Sequence, residues 1–408
     1  MLYSRYRIAS GLSFYFRCLI SILTLEFLHK RRVPAVEREL RELTQEKNLI
    51  AVPQARVGLY LYLKEIIEPG DEVLTSAYTL IDMVNMIICA GGKPVFVDTG
   101  ARHYHICLED LERKITPATK VLVLPHLYGT SADIGKIVSI CKNKNILLFE
   151  DCAQAVGASN DGRMLGTFGD AGVYSFGALK NVNALFGGAL VIKDKTVLNN
   201  IHKTVQRFPL MSFGKIFGKL LFCLFYDLLT HPWVYTPLAS TFMNMLDKNG
   251  HVDKDAVKRT KIPPSYLSQM TSMQATLVLA GLKTWQNQAK QSRQIASHYS
   301  TAISLQGETL HHPAGPSGAF NTYLQFPIWV DPSNRELKKW LRTRQVDINV
   351  DFFRDVSSLD CFAEYATDCP NTKHLLEHLA LLPTYPRQDS AYTRRVSKAL
   401  EDFDSGSL

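Results

Sequence analysis

From residue 69 onward the apolar positions follow two alternating rhythms. The stretches "DEVLTS", "KPVFVD", "KVLVLP" and "ILLFED" are short, dense apolar runs bounded by polar residues and read as buried strands. Between them, "TLIDMVNMIICA" and "DIGKIVSICKNKN" space their apolar residues as helices do. This alternation predicts parallel strands joined by crossover helices, an α/β sheet whose ligands collect at the carboxyl ends of its strands. Glu150 and Asp151 close the run "ILLF" at that edge.

Residues 172 to 192, "GVYSFGALKNVNALFGGALVI", add two more strand-like runs and set Lys180 in a tight link of Gly, Ala, Ser and Asn between them. Most lysines are solvated surface charges, but the small neighbours of this one leave room for a ligand. At 207 the composition turns strongly apolar. Residues 213 to 228 keep helical spacing, with Lys215 and Lys219 together on another face. Two readings stand for this insertion: it packs into the core or a dimer, or it lies on a membrane with the lysines toward anionic head groups. Beyond it, "SQMTSMQATLVLAGLKTWQNQAKQSRQIASHYSTAI" reads as long helix. From about Gly307 the strand "TYLQFPIWV" and the helices "RELKKWLRTR" and "TKHLLEHLALL" read as a smaller domain. The expected division is 1–32, an apolar and basic segment; 33–206, the large domain; 207–250, the insertion; 251–306, linking helices; and 307–408, the small domain.

Length and composition narrow this picture. A chain of 408 residues has room for two domains, and 46% hydrophobic with 21% charged residues is an ordinary globular balance, with disorder expected only in tips and tails such as "EDFDSGSL". Eight cysteines without a CxxC pair suggest neither a zinc site nor a disulfide framework, and fit a reducing cytoplasm. The net charge of +8 is not gathered into basic runs interleaved with aromatics, which argues against nucleic acid. The N-terminus has a basic start and an apolar middle but no small-residue cleavage site. Arg17 and Glu26 interrupt the roughly 20 apolar residues a membrane crossing needs, so the segment is expected to lie on a surface.

Asp151 is followed by "CAQAVGA", whose small residues let backbone come close to something flat and polar. Alone, Asp151 reads as a helix N-cap. An amine, a buried carboxylate and a glycine-lined gap together suit pyridoxal 5′-phosphate (PLP): the lysine joins the cofactor's aldehyde, and the acid keeps the ring nitrogen protonated so that the ring accepts electrons.

The run "EDCAQAVGA…GTFGDAGVYSFGALKNV…GGALV" resembles the signature of the DegT/StrS family of nucleotide-sugar aminotransferases, which are fold-type I PLP enzymes. "PGDEVLTSAYTLIDMVNMIICAGGKPVFVD", "VLVLPHLYGTSADI", "SMQATLVLAGLKTW…SRQIASHY" and "CPNTKHLLEHLALLPTYP" are similar to other family segments, so the likeness runs from about Val33 to Leu400. It implies a three-layer αβα large domain with a mostly parallel sheet and a smaller C-terminal α+β domain. It also implies a homodimer with its site at the subunit interface, taking an amino-acid donor, glutamate in much of the family, and a nucleotide-activated keto sugar. Lys180 would be the cofactor-linked catalytic lysine and Asp151 the partner of the ring nitrogen. Gln154 would lie beside the ring, and Ser175 would touch the phosphate. Family members with histidine at the lysine position dehydrate instead, so Lys180 points to amine transfer.

Some positions depart from the family pattern. The phosphate-binding Gly-Thr or Gly-Ser pair is replaced in "PQARVGLYLYLKEI" by Ala55, Arg56 and Val57, where Arg56 can supply a charge-assisted contact or stand as a surface charge. The ring-stacking aromatic is Leu80, with Tyr78 nearby; the asparagine lent to the partner's phosphate is Leu267; and the Glu before the double glycine is Phe186. These changes leave two other readings open, a different or lipid-linked carbonyl acceptor, and a noncatalytic relative that keeps the fold.

Overall fold

The computed structural model describes residues 2–8, 11–236, 256–304, 309–313, 315–386 and 388–405. Seven strands form the central sheet: β1 (Leu49–Val52), β2 (Glu72–Ser76), β3 (Lys93–Val97), β4 (Thr119–Pro125), β5 (Leu147–Cys152), β6 (Ala171–Ser175) and β7 (Gly188–Ile192). Their order is β1-β7-β6-β5-β4-β2-β3. The ladders from β6 through β3 are parallel, and β7 runs against both its neighbours. The six strand-like runs of the sequence all take their places here.

Alternate residues of each strand feed opposite layers, as the two-residue period of a strand requires. On one face Ile50, Val52, Val121 and Val123 join α3 (Ala55–Ile66), α4 (Ile81–Ala90) and α7 (Lys195–Gln206). On the other, Leu122 and Leu124 pack on α5 (Leu108–Lys114) and α6 (Ile134–Lys144), while Leu49 and Ala51 meet α1 (Leu12–Leu23), α2 (Val33–Thr44), α8 (Phe213–Leu229) and α9 (Ser272–Leu282). The result is the expected three-layer αβα arrangement. A second, smaller unit packs α10 (Trp285–Ser304), α11 (Asn334–Thr343) and α13 (Ser390–Asp404) on an antiparallel sheet of β8 (Leu310–His311), β9 (Phe326–Val330) and β10 (Leu379–Leu382).

Several expectations need correction. The long helix after 268 is two helices, α9 and α10, parted at Lys283 and Thr284, and the Trp285 indole that opens α10 packs on Gly157. The helical reading of "TKHLLEHLALL" holds for α12 (Pro370–His378) only: "LALL" is β10, paired with β9 from Trp329↔Leu379 to Phe326↔Leu382. Leu379 and Leu381 face one cluster and Ala380 and Leu382 another, a two-residue period hidden inside an all-apolar run. In the tail "EDFDSGSL", residues 401 to 404 finish α13. The apolar insertion is helical over α8 and a turn at Pro232–Val234, and its remainder, 237–250, lies outside the described residues.

Candidate active site

The carboxyl ends of β4, β5 and β6 converge beside the link that carries Lys180. At the end of β5 the Asp151 carboxyl is buried, and the Ala153 N–H donates to its Oδ1 at 3.0 Å. That bond is a local turn: no helix follows, so the N-cap reading of Asp151 fails. Burial raises the Asp151 pKa, against the pull of that N–H and of the Lys180 and His126 charges. Lys180 is half-buried, and desolvation of its amine lowers its pKa from 10.5 to about 8; the Asp151 charge opposes this and the Arg56 charge adds to it. Asp151, Lys180 and Arg56 therefore share one electrostatic site.

Glycines set the spacing. A Cβ on Gly177 would lie 3.6 Å from Ser175 Oγ and 3.8 Å from Lys180 Cγ, which puts these two side chains on either flank of one residue. A Cβ on Gly188 would come within 2.9 Å of the Ala55 nitrogen, so the glycine lets the N-terminus of α3 close against the sheet. Arg56 sits in that first turn, paired with Asp82 and with its guanidinium 5.4 Å from the Tyr266 ring. Val57 is buried in the core, and its N–H and that of Gly58 both turn back to the Gln54 carbonyl at 3.1 Å. Gln154 accepts the Tyr128 N–H through Oε1 at 2.8 Å, which fixes the orientation of its amide.

Other positions fall differently from their sequence reading. Gly157 does not face a cofactor: at φ +82 its open side is filled by the Trp285 indole. Tyr78 is buried in an aromatic cluster, its hydroxyl 2.6 Å from that of Tyr128, while Leu80 is exposed at the N-cap of α4. Leu267 is half-buried beside the α3 layer. Lys215 and Lys219 both have partners within the protein. They reach over the Phe186 ring, at 5.1 and 5.6 Å from its centroid, and Lys215 also donates to the Ser265 carbonyl at 2.6 Å. Burial, with the Arg56 charge behind it, lowers the Lys215 pKa.

Two features escaped the sequence reading. One is this gathering of Arg56, Lys215 and Lys219 around Phe186 and Tyr266, which no local motif announces, because the insertion supplies two of its cations from over 150 residues away in sequence from Arg56. The other is the support under Asp151. His126 Nε2 lies 3.0 Å from Glu150 Oε2, and Glu150 also accepts the N–H groups of Gly166 (2.8 Å) and Gly169 (2.7 Å). Burial alone would raise the Glu150 pKa, but these bonds outweigh it and hold the carboxyl below its usual range. The His126 backbone N–H in turn donates to the Asp151 carbonyl at 2.9 Å, so the strand ends are locked together beneath the site. The segment "HLYGTSAD" was the available signal.

The donor set suits a flat cofactor carrying a phosphate. Among the described residues the buried Asp151 carboxyl feels the Lys180 charge but forms no ion pair, a place that a protonated ring nitrogen would fill. Lys180 offers a desolvated amine, and Ser175, Arg56 and the start of α3 offer hydroxyl, cation and helix N-terminus to a dianion.

Comparison with known proteins agrees with this chemistry. The model of the DegT/DnrJ/EryC1/StrS aminotransferase family matches residues 24–401. A GDP-perosamine synthase from Escherichia coli O157:H7 is 36% identical over 162 residues, 40% of this chain and 44% of that enzyme. A UDP-N-acetyl-3-dehydro-alpha-D-glucosamine 3-aminotransferase from Acidithiobacillus ferrooxidans is 26% identical over 368 residues, 90% of this chain and 87% of that one. A solved Streptococcus pneumoniae protein in its PLP form superposes with a TM-score of 0.76, covering 100% of this chain and 99% of its own; at 18% identity this speaks to the fold.

Proposed function

The chain belongs to the DegT/DnrJ/EryC1/StrS aminotransferase family, whose members are PLP enzymes, and from that premise we propose that it moves an amino group from glutamate to the keto carbon of a nucleotide-activated sugar. The observation that carries the reading is a desolvated Lys180 amine within electrostatic reach of the buried Asp151 carboxyl in a chain of this family. The two curated relatives named above act on nucleotide sugars by their names. A homodimer with its site at the subunit interface, in the cytoplasm and in peripheral contact with the inner face of the membrane, completes the proposal.

When bound, PLP supplies a ring that withdraws electrons from the carbon being aminated or deaminated. The protein supplies the rest. Asp151 would hold a proton at the ring nitrogen, Gln154 would flank the ring, and Arg56, Ser175 and the first turn of α3 would hold the phosphate. The lowered pKa of Lys180 gives Nζ a neutral fraction near pH 7 large enough to accept a proton and hand it back, which an always-charged arginine could not do. Lys215 and Lys219, which lie over Phe186, would meet the diphosphate of an activated sugar.

The test is incubation of the PLP-loaded enzyme and a Lys180→Ala variant with glutamate and a panel of nucleotide-linked keto sugars, followed by mass spectrometry. Amino sugar and 2-oxoglutarate in equal amounts, from the wild type alone, are expected. No amination of any panel member, with PLP bound, would refute the acceptor class.

A further inference from the structure

We propose that the outer faces of α1 and α8 together form a membrane-docking surface that seats in the headgroup layer of an anionic phospholipid bilayer. The proposal rests on the peripheral location given above and not on the reaction. Amine transfer in solution stands or falls separately.

The two helices lie side by side and antiparallel. At one end Tyr15 donates to the Cys223 carbonyl at 3.1 Å; at the other the Phe27 and Phe213 rings sit 4.4 Å apart. Each helix buries an inner stripe: Phe14 and Cys18 of α1, and Ile216, Leu220 and Cys223 of α8. Packing against the protein is thereby satisfied, and a helix on the surface of a soluble protein turns its other side polar. These two do not. Phe16 and Leu23 of α1 are 64% and 69% exposed, Phe225 and Leu228 of α8 62% and 59%, and Trp233 beyond α8 71%. Of the exposed large hydrophobic side chains among the described residues, all but Leu80, Leu179, Val257 and Phe320 fall on these two elements and their ends. Such concentration marks an interaction surface.

Charge decides what covers it. Arg17, Lys30 and Arg31 are exposed along α1 and its exit. The acids of the same elements are turned away: Glu26 is buried against Ser21, Thr276 and Arg32, and Asp227 pairs with Arg7 at 3.2 Å. A second copy docked through this face about a two-fold axis would bury the apolar side chains but would bring the exposed cations of α1 and its exit near their own copies, with no exposed acid of these elements opposite them. Phospholipid phosphates complement it, with the apolar side chains sunk roughly 5–10 Å into the boundary and Trp233 at the aromatic level of the interface. With 12 and 17 residues the helices reach about 18 and 25 Å, and no described helix is long and apolar enough to cross a membrane, so the contact lies in the plane.

The experiment is flotation of the PLP-loaded, full-length enzyme with vesicles of phosphatidylglycerol in phosphatidylcholine and with phosphatidylcholine alone, beside a Phe225→Ser/Trp233→Ser variant. Both side chains are exposed, and unchanged PLP absorbance and melting temperature verify the fold of the variant. Wild type is expected to float with the anionic vesicles and to be released by salt, and the variant to lose binding about tenfold. Two results would overturn the proposal: wild type that does not float or floats no better than the variant, and a variant whose sedimenting mass falls while its flotation is unchanged, which would make a second copy the occupant.

Discussion

The lowered pKa of Lys180 makes a quantitative prediction about the cofactor-free enzyme. With a pKa of about 8, about 10% of the amine is neutral at pH 7, against about 0.03% for an unperturbed lysine, a gain of about 300-fold in reactive species. Trace labelling with acetic anhydride across a pH series, read by peptide mass spectrometry, should show Lys180 at half its plateau near pH 8. Lys136, which Asp133 holds above its ordinary value, is the internal reference and should still be rising well past pH 10. Two substitutions then move the Lys180 inflection in opposite directions: Asp151→Asn removes the charge that holds it up and lowers it further, and Arg56→Gln removes a repelling cation and raises it. Linkage gives a second readout with a definite sign. The unfolded chain, with lysine near 10.5, binds more protons than the folded one between about pH 8 and 10.5, so this site's contribution to stability rises with pH across that window. Labelling of Lys180 in step with Lys136, or shifts of like sign in the two variants, would refute the desolvated amine and the proton role built on it.

Gly157→Ala should cost about 2–4 kcal/mol in urea denaturation, since φ is +82 and the new Cβ would overlap the Trp285 ring; Trp285→Ala in the same chain should restore part of the loss. Glu150→Gln should cost about 1–3 kcal/mol, because an amide cannot accept from His126, Gly166 and Gly169 at once and its NH2 would oppose a donor. Lys215→Gln with Lys219→Gln should raise the KM for the nucleotide sugar about tenfold while the absorbance of bound PLP and the KM for glutamate stay as they were. A changed PLP spectrum instead would assign the lysines to the cofactor phosphate.

The sheet was legible because its strands are buried on both faces: runs such as "KVLVLP" and "ILLFED" cannot be satisfied elsewhere than in a covered parallel sheet. Lys180 and Asp151 were legible because each interrupts an apolar or small-residue setting that would not otherwise tolerate charge. What stayed hidden depends on distant partners. "LALL" has no periodicity to separate strand from helix until β9 pairs with it, and the break at Lys283, beside the seat of Trp285 on Gly157, is marked by no proline. Lys215 and Lys219 read as a helix face of their own, and only the folding of α8 over Phe186 turns them toward the site.

Trp285 is also the first residue of α10, whose far half, at Tyr299 and Ile303, is built into the core of the smaller unit. A rod of 20 residues is about 30 Å long, so each degree of tilt at the indole displaces the far end by about 0.5 Å. Its fulcrum rests on a glycine six positions beyond the acid at the end of β5. A substitution at that contact would therefore reach both the helix that anchors the smaller unit and the loop leading away from that acid.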